Sequence, residues 1–155
     1  MSASGIAILK EASRVQVFRV ASLADERNTS NTIQDYPILS TGKEHGQAFA
    51  TRLSAILLGD GVTRNRKKCG IEPGVAFRLW KGDQSVEVLV CFTCNVMWPH
   101  VVGEQTEKPW SEWQDFDSAR RDLLLLTKEA FPDDPEIESL VSAGNLSSVG
   151  KEQSP

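Results

Sequence analysis

Hydrophobic and polar residues alternate along two neighbouring runs, residues 75–80 and 86–92, which are separated by residues 81–85. Alternation with a period of two is typical of β-strands that bury one face. Between the runs, the Gly82-Asp83 pair suits a type II′ turn, whose twist matches that of paired strands. The pattern predicts a β-hairpin, which is the strongest structural signal in the chain.

The register of this hairpin follows from the same pattern. Centring the turn on Gly82-Asp83 sets three apolar residues of each strand opposite one another, so one face is wholly apolar. It also sets Arg78 opposite Glu87 on the other face, as a cross-strand pair of opposite charges. A shift of one residue would lose both matches. The predicted apolar pairs are Leu79 with Val86, Phe77 with Val88, and Val75 with Val90.

Two longer segments carry apolar residues at helical spacing. The first is predicted to begin with a capping box, in which Thr41 caps the helix and Glu44 reaches back to the Thr41 amide. The second is predicted to begin at Asp117 and to end at Phe131, because Pro132 follows. A short third helix is expected to be capped by Asp134. The apolar stripes are Phe49, Leu53, Ile56 and Leu57 in the first helix, and Ala119, Leu123, Leu126 and Ala130 in the second.

Further strands are expected on both sides of the hairpin. Residues 6–9 and 14–21 are predicted strands, residues 36–39 a short edge strand, and residues 96–102 a third strand after the hairpin. The order of elements predicts an α+β fold with an antiparallel sheet of about four or five strands. The two main helices are expected to pack on one face of this sheet, with a short C-terminal helix beyond them.

Composition narrows the class of protein. The chain has 155 residues and a net charge of −4, so we expect one α+β domain over residues 1–141 and a disordered, polar tail over residues 142–155. The acidity argues against a general nucleic-acid binder. No signal peptide and no membrane span are expected, and an odd number of cysteines favours a reducing, cytoplasmic compartment.

The three cysteines gather near the open end of the hairpin. Cys91 and Cys94 form a C-x-x-C pair, and Cys69 precedes the first strand. Together with His100 they could ligate zinc, which prefers thiolate and imidazole, and would then stabilise the module. Alternatively, Cys91 and Cys94 could act as a redox dithiol. A purely structural role, with the thiols closing the base of the hairpin, is also open.

No other pattern typical of catalysis is present, so the sequence favours a non-enzymatic protein. Trp98, Trp110 and Trp113 form an aromatic region that could bind a partner or a small ligand. Two surplus leucines on the second helix, Leu124 and Leu125, could be covered by the N-terminal segment or could contact a second subunit. The favoured hypothesis is a binding or regulatory protein, for example one that neutralises a toxin, with no resident cofactor.

Sequence motifs in and around the hairpin resemble those of a group of other proteins. The motif Cys69-x3-Pro73, the run Val86-x-Val-Leu-Val-Cys-Phe-x-Cys94 and the closing Phe131-Pro132-x-Asp134 are similar to those of a group of small bacterial proteins of uncharacterised function. The resemblance covers approximately residues 67–140. It implies a bacterial, single-domain α+β protein and implies no catalytic activity.

Overall fold

A computed structural model describes residues 1–21, 30–65, 67, 69, 72–105 and 113–152, with side chains described as far as residue 144. The strands form one antiparallel sheet of seven strands in the order β2-β3-β1-β4-β5-β6-β7. The strands are β1 (Arg14–Val20), β2 (Thr32–Ile33), β3 (Tyr36–Thr41), β4 (Val75–Lys81), β5 (Gln84–Cys91), β6 (Val96–Val101) and β7 (Gln114–Asp115). The helices are α1 (Ala3–Lys10), α2 (Gln47–Leu57), α3 (Arg120–Ala130) and α4 (Pro135–Glu152).

The predicted hairpin is confirmed as β4 and β5, with the predicted register at every apolar pair and at Arg78 and Glu87. Gly82 has a φ of +60°, as the first central position of a type II′ turn requires. Strand β6 pairs with β5 on the far side and confirms the predicted third strand.

One face of the sheet packs against the helices and forms the main core. Strand residues such as Val17, Phe77 and Val88 alternate inward, and apolar residues of all four helices meet them. Both predicted helical stripes lie against this core, although Ile56 is only partly buried. The helical residues buried there are Ile8, Leu9, Phe49, Ala50, Leu53, Leu57, Leu123, Leu124, Leu126, Ala130 and Ile137.

The sheet is larger than predicted. The prediction of four or five strands was wrong because two-residue strands such as β2 and β7 have too little sequence to show a period. A tight turn joins β2 to β3, with Gln34 and Asp35 at φ values of 47° and 69°. This turn lacks the Asn-Gly or Asp-Gly pair that usually marks such a connection. Strand β3 also pairs with β1, so it does not form the edge that was predicted for it.

The N-terminal segment corrects a second expectation. The residues predicted as a strand, 6–9, belong to helix α1. The Ser2 side chain caps this helix by accepting a hydrogen bond from the Gly5 amide at 3.2 Å. Ile8 and Leu9 are buried, so packing overrides the low helix propensity of glycine and isoleucine. Within the described ranges there are therefore four α-helices rather than the two main helices and one short helix expected.

The starts of α2 and α3 differ from the predictions. Helix α2 begins after Gly46 without a side-chain cap, and Thr41 ends β3, so the predicted capping box is wrong. A 3-10 turn over Asp117–Ala119 precedes α3.

Asp134 caps α4 as predicted, because its Oδ1 accepts from the amides of Glu136 and Ile137 at 3.0 and 3.1 Å. Helix α4 extends to Glu152, past the predicted start of the tail at residue 142, and is therefore longer than the short helix expected. The division into a domain and a tail stays a prediction. Of the helices described, none is long and apolar enough to cross a membrane.

Candidate binding surface on the aromatic face of the sheet

The face of the sheet opposite the main core carries a second apolar cluster. Phe18, Ala76, Leu89 and Trp98 lie side by side on β1, β4, β5 and β6, and Tyr36 and Trp113 pack against this cluster. Within the described ranges, every member of this cluster lies on a strand or immediately beside one, and no helix contributes to it. We call this side of the sheet the aromatic face.

Ring contacts connect the aromatic residues of this face. Trp98 stacks on Trp113 with ring centroids 6.0 Å apart and an interplanar angle of 29°. Tyr36 also contacts Trp98, with ring centroids 6.3 Å apart and an interplanar angle of 59°. Trp98 is 7% exposed, whereas Tyr36 and Trp113 are half-buried. The cluster therefore has a buried centre with two aromatic residues that keep accessible surface.

A row of polar side chains crosses the same face. Cross-strand neighbours share a face of a sheet, and the register places Gln16, Arg78, Glu87 and His100 side by side on β1, β4, β5 and β6. Arg78 donates from Nε and Nη2 to Glu87 Oε1 at 2.9 and 2.6 Å. Glu87 is buried and the other three residues are half-buried. Arg78 thus neutralises the buried carboxylate of the row.

Two arginines also contact aromatic rings here. The Arg14 guanidinium lies 3.9 Å from the centroid of the Trp80 ring, a close cation–π contact. Arg78 lies 5.3 Å from the Phe18 centroid and 5.8 Å from that of Trp80. The polar row is consequently bordered on both sides by aromatic rings, Trp80 on one side and Phe18 and Trp98 on the other.

The predicted cysteine cluster divides in two. Cys69 and Cys94 form a disulfide with their Cα atoms 6.3 Å apart. Cys91 is a free, fully buried thiol on β5, opposite Val96. Burial first, and the Cys91 thiol second, raise the pKa of the Tyr36 hydroxyl. The structure thus joins Cys94 to Cys69 rather than to Cys91, which belongs to the aromatic face.

The fourth predicted metal ligand lies further along the sheet. His100 pairs with Glu87, whereas Cys91 pairs with Val96 at the other end of β6. The two positions are four residues apart along the strand, a span of about 13 Å. Among the residues with described positions, no group of three or more His, Cys, Asp or Glu side chains could hold a metal ion. Zinc binding by Cys69, Cys91, Cys94 and His100 stays an untested prediction.

The aromatic region predicted from the sequence is partly visible. Trp98 and Trp113 are brought together, and Trp110 lies outside the described residues. Sequence reasoning did not include Tyr36 or Trp80 in the candidate site. The alternation of β4 already places Trp80 on the Arg78 side of the hairpin, so this residue could have been found. Tyr36 could not, because its position depends on the pairing of β3 with β1.

Comparisons with known proteins add no relative: no protein-family model, no curated protein and no solved structure matches the chain.

Proposed function

We propose that this protein is a non-enzymatic binding protein that recognises a partner protein through its aromatic face. The observation that carries the proposal is the pair of half-buried rings, Tyr36 and Trp113, supported on the buried Trp98. Tryptophan, tyrosine and arginine are the residues in which binding energy concentrates at protein interfaces.

The surroundings of these rings support a protein partner. Arg78 and Glu87 hold each other in place beside these rings. Because the two side chains are already ordered, binding of a partner costs little side-chain entropy there. The chain carries a net charge of −4, which favours association with a basic partner. Neutralisation of a basic toxin in the cytoplasm is one function of this kind.

The test is to identify partners that co-purify with the tagged protein and to measure the affinity of each for purified variants. We expect Trp113→Ala and Tyr36→Ala to weaken binding by about 2 kcal/mol or more each, as hot-spot residues do. The control is Leu125→Ala, because Leu125 is 42% exposed on α3, which packs on the opposite face. Circular dichroism confirms that each variant is folded.

Two outcomes would reject the proposal. One is that every partner binds Trp113→Ala and Tyr36→Ala as tightly as the wild type. The other is that Leu125→Ala alone loses binding, which would place the interface on the helices. A protein that pairs only with itself, with the pairing lost in the Trp113 variant, would replace the foreign partner by a second copy of the chain.

A further inference from the structure

Two half-buried cysteines from distant parts of the chain meet at one end of the sheet. Cys69 lies in the connection between α2 and β4, and Cys94 lies in the turn between β5 and β6. Their Cα atoms are 6.3 Å apart, within the usual range for disulfides. The third thiol, Cys91, has no exposed surface. The disulfide is therefore partly accessible to solvent, whereas the remaining thiol is not.

Contacts that involve no sulfur also hold the two cysteines together. The Lys67 ammonium donates to the Cys94 carbonyl at 3.0 Å. The same ammonium pairs with Asp115 Oδ2 at 3.1 Å and with Asp117 Oδ1 at 2.7 Å. Because Lys67 is two residues from Cys69, this contact anchors the connection directly beside the disulfide.

Backbone hydrogen bonds anchor the connection on both sides. Thr63 and Asp115 exchange two N–H···O bonds of 2.9 and 2.7 Å before Cys69. After it, the Gly74 amide donates to the Val90 carbonyl at 3.2 Å. These bonds keep Cys69 close to the turn whether or not the sulfur atoms are joined.

The turn that carries Cys94 is fixed as well. Arg120 Nη1 donates to the Phe92 carbonyl at 2.6 Å and to Asn95 Oδ1 at 2.5 Å. Asn95 Nδ2 donates to Asp117 at 2.8 Å. Both partners of the disulfide are thus positioned by independent contacts.

We propose that Cys69 and Cys94 form a reversible redox site that a dithiol reductant opens and a low-molecular-weight disulfide closes. In opening, one thiolate of the reductant attacks one protein sulfur, and the other cysteine leaves as a thiolate and takes up a proton. The second thiol of the reductant then displaces the remaining cysteine. The protein gains two electrons and two protons, and the reductant becomes a disulfide.

Closure runs through the same exchange in reverse. One protein thiolate attacks the low-molecular-weight disulfide and releases one small thiolate, which leaves a mixed disulfide on the protein. The second protein thiolate then displaces the other small thiolate from this mixed disulfide, so the protein loses two electrons and two protons and the small disulfide becomes two thiols. The contacts around Lys67 hold the second thiol nearby, which makes this last step effectively intramolecular. Cys91 takes no part, because its sulfur is buried. This proposal does not depend on the binding function proposed above.

The expected consequence of opening is local. The contacts of Lys67, Thr63 and Gly74 persist, so the fold is retained and the two thiols stay close to each other after reduction.

The test combines thiol labelling with mass spectrometry. Protein purified without reductant is treated with iodoacetamide before and after dithiothreitol, in native buffer and in denaturant. We expect no label at Cys69 or Cys94 before reduction and a label at both afterwards. Cys91 is expected to react only in denaturant. Reduced native protein given oxidised glutathione is expected to re-form the bond between Cys69 and Cys94.

A matched pair of lysine variants tests the anchoring. Lys67→Ala is expected to slow re-formation several-fold, whereas Lys128→Ala, which removes an ion pair with Glu138 on α4, leaves the rate unchanged. The proposal is overturned if oxidation joins Cys91 to Cys94, if no disulfide re-forms, or if both lysine variants re-form it at the wild-type rate.

Discussion

Arg78 donates two hydrogen bonds to a single oxygen of Glu87, from Nε at 2.9 Å and from Nη2 at 2.6 Å. The Glu87 side chain is 9% exposed and that of Arg78 is 28% exposed. The carboxylate is therefore largely desolvated and depends on this arginine for compensation.

Replacing Arg78 by leucine should destabilise the fold by about 2 to 3 kcal/mol, because it leaves the buried carboxylate unpaired and solvent relieves only part of that cost. The double variant Arg78→Leu with Glu87→Leu should be more stable than the single Arg78 variant. Chemical denaturation of wild-type, single and double variants measures this. Additive effects of the two substitutions would show that the residues do not depend on each other.

Arg19 should be essential for holding α4 on the sheet. It is 6% exposed, donates to the Gly74 carbonyl at 2.7 Å, and pairs with Asp134 at 3.1 Å and with Glu136. Arg19→Met should lower the free energy of unfolding by about 2 to 3 kcal/mol, because it removes the hydrogen bond to the Gly74 carbonyl and the ion pair with Asp134.

Glu136→Gln is the control for Arg19, because the Glu136 side chain is 70% exposed and exposed pairs contribute less than about 1 kcal/mol. Thermal unfolding of both variants measures the difference. Equal losses in the two variants would mean that the exposed carboxylate, rather than burial of Arg19, carries the interaction.

The disulfide should contribute to global stability as well as to local order. Cys69 and Cys94 are 25 residues apart, and closing a loop of that size stabilises a fold by about 3.5 kcal/mol in the chain-entropy model. The double variant Cys69→Ser with Cys94→Ser should therefore unfold at a lower denaturant concentration than oxidised wild type. Its midpoint should not respond to reductant. A wild-type midpoint that is the same with and without reductant would contradict this.

His45 should make the fold sensitive to mildly acidic pH. Burial lowers its pKa and Lys43 lowers it further, while Glu129 opposes them. A pKa lowered in the folded state means that the unfolded chain takes up the proton first, so stability falls as pH drops below about 6.5.

Replacing His45 by asparagine should flatten the stability profile between pH 7.5 and 5. The acidic groups with lowered pKa values, Asp117 and Glu129, add their own loss at lower pH, as their carboxylates protonate. Unfolding free energies measured across the range check the slope. A variant whose slope equals that of the wild type would assign the pH dependence to other groups.

The hairpin could be predicted in register because its information is local: two alternating runs, one turn and one pair of opposite charges lie within residues 75–92. The polar row could be predicted only as far as Arg78 and Glu87. Gln16 and His100 join it through the pairing of β1 with β4 and of β6 with β5. Sequence patterns do not reveal which distant strands become neighbours.

The disulfide partner was missed for a related reason. The C-x-x-C spacing points to Cys91 and Cys94, but strand alternation turns Cys91 into the aromatic face and leaves Cys94 in the turn. Cys69 reaches Cys94 because Lys67 and Thr63 bring its segment there. Helix α1 was missed because its burial comes from the sheet and not from its own helix propensity.

Three of the four tryptophans, Trp80, Trp98 and Trp113, lie on the same side of the sheet. Intrinsic fluorescence from these three residues therefore reports on the surface proposed to bind a partner. The stacked pair, with centroids 6.0 Å apart, is close enough for its near-ultraviolet dichroism to change when either ring moves. The chain thus supplies its own spectroscopic label at the place where one would otherwise be engineered.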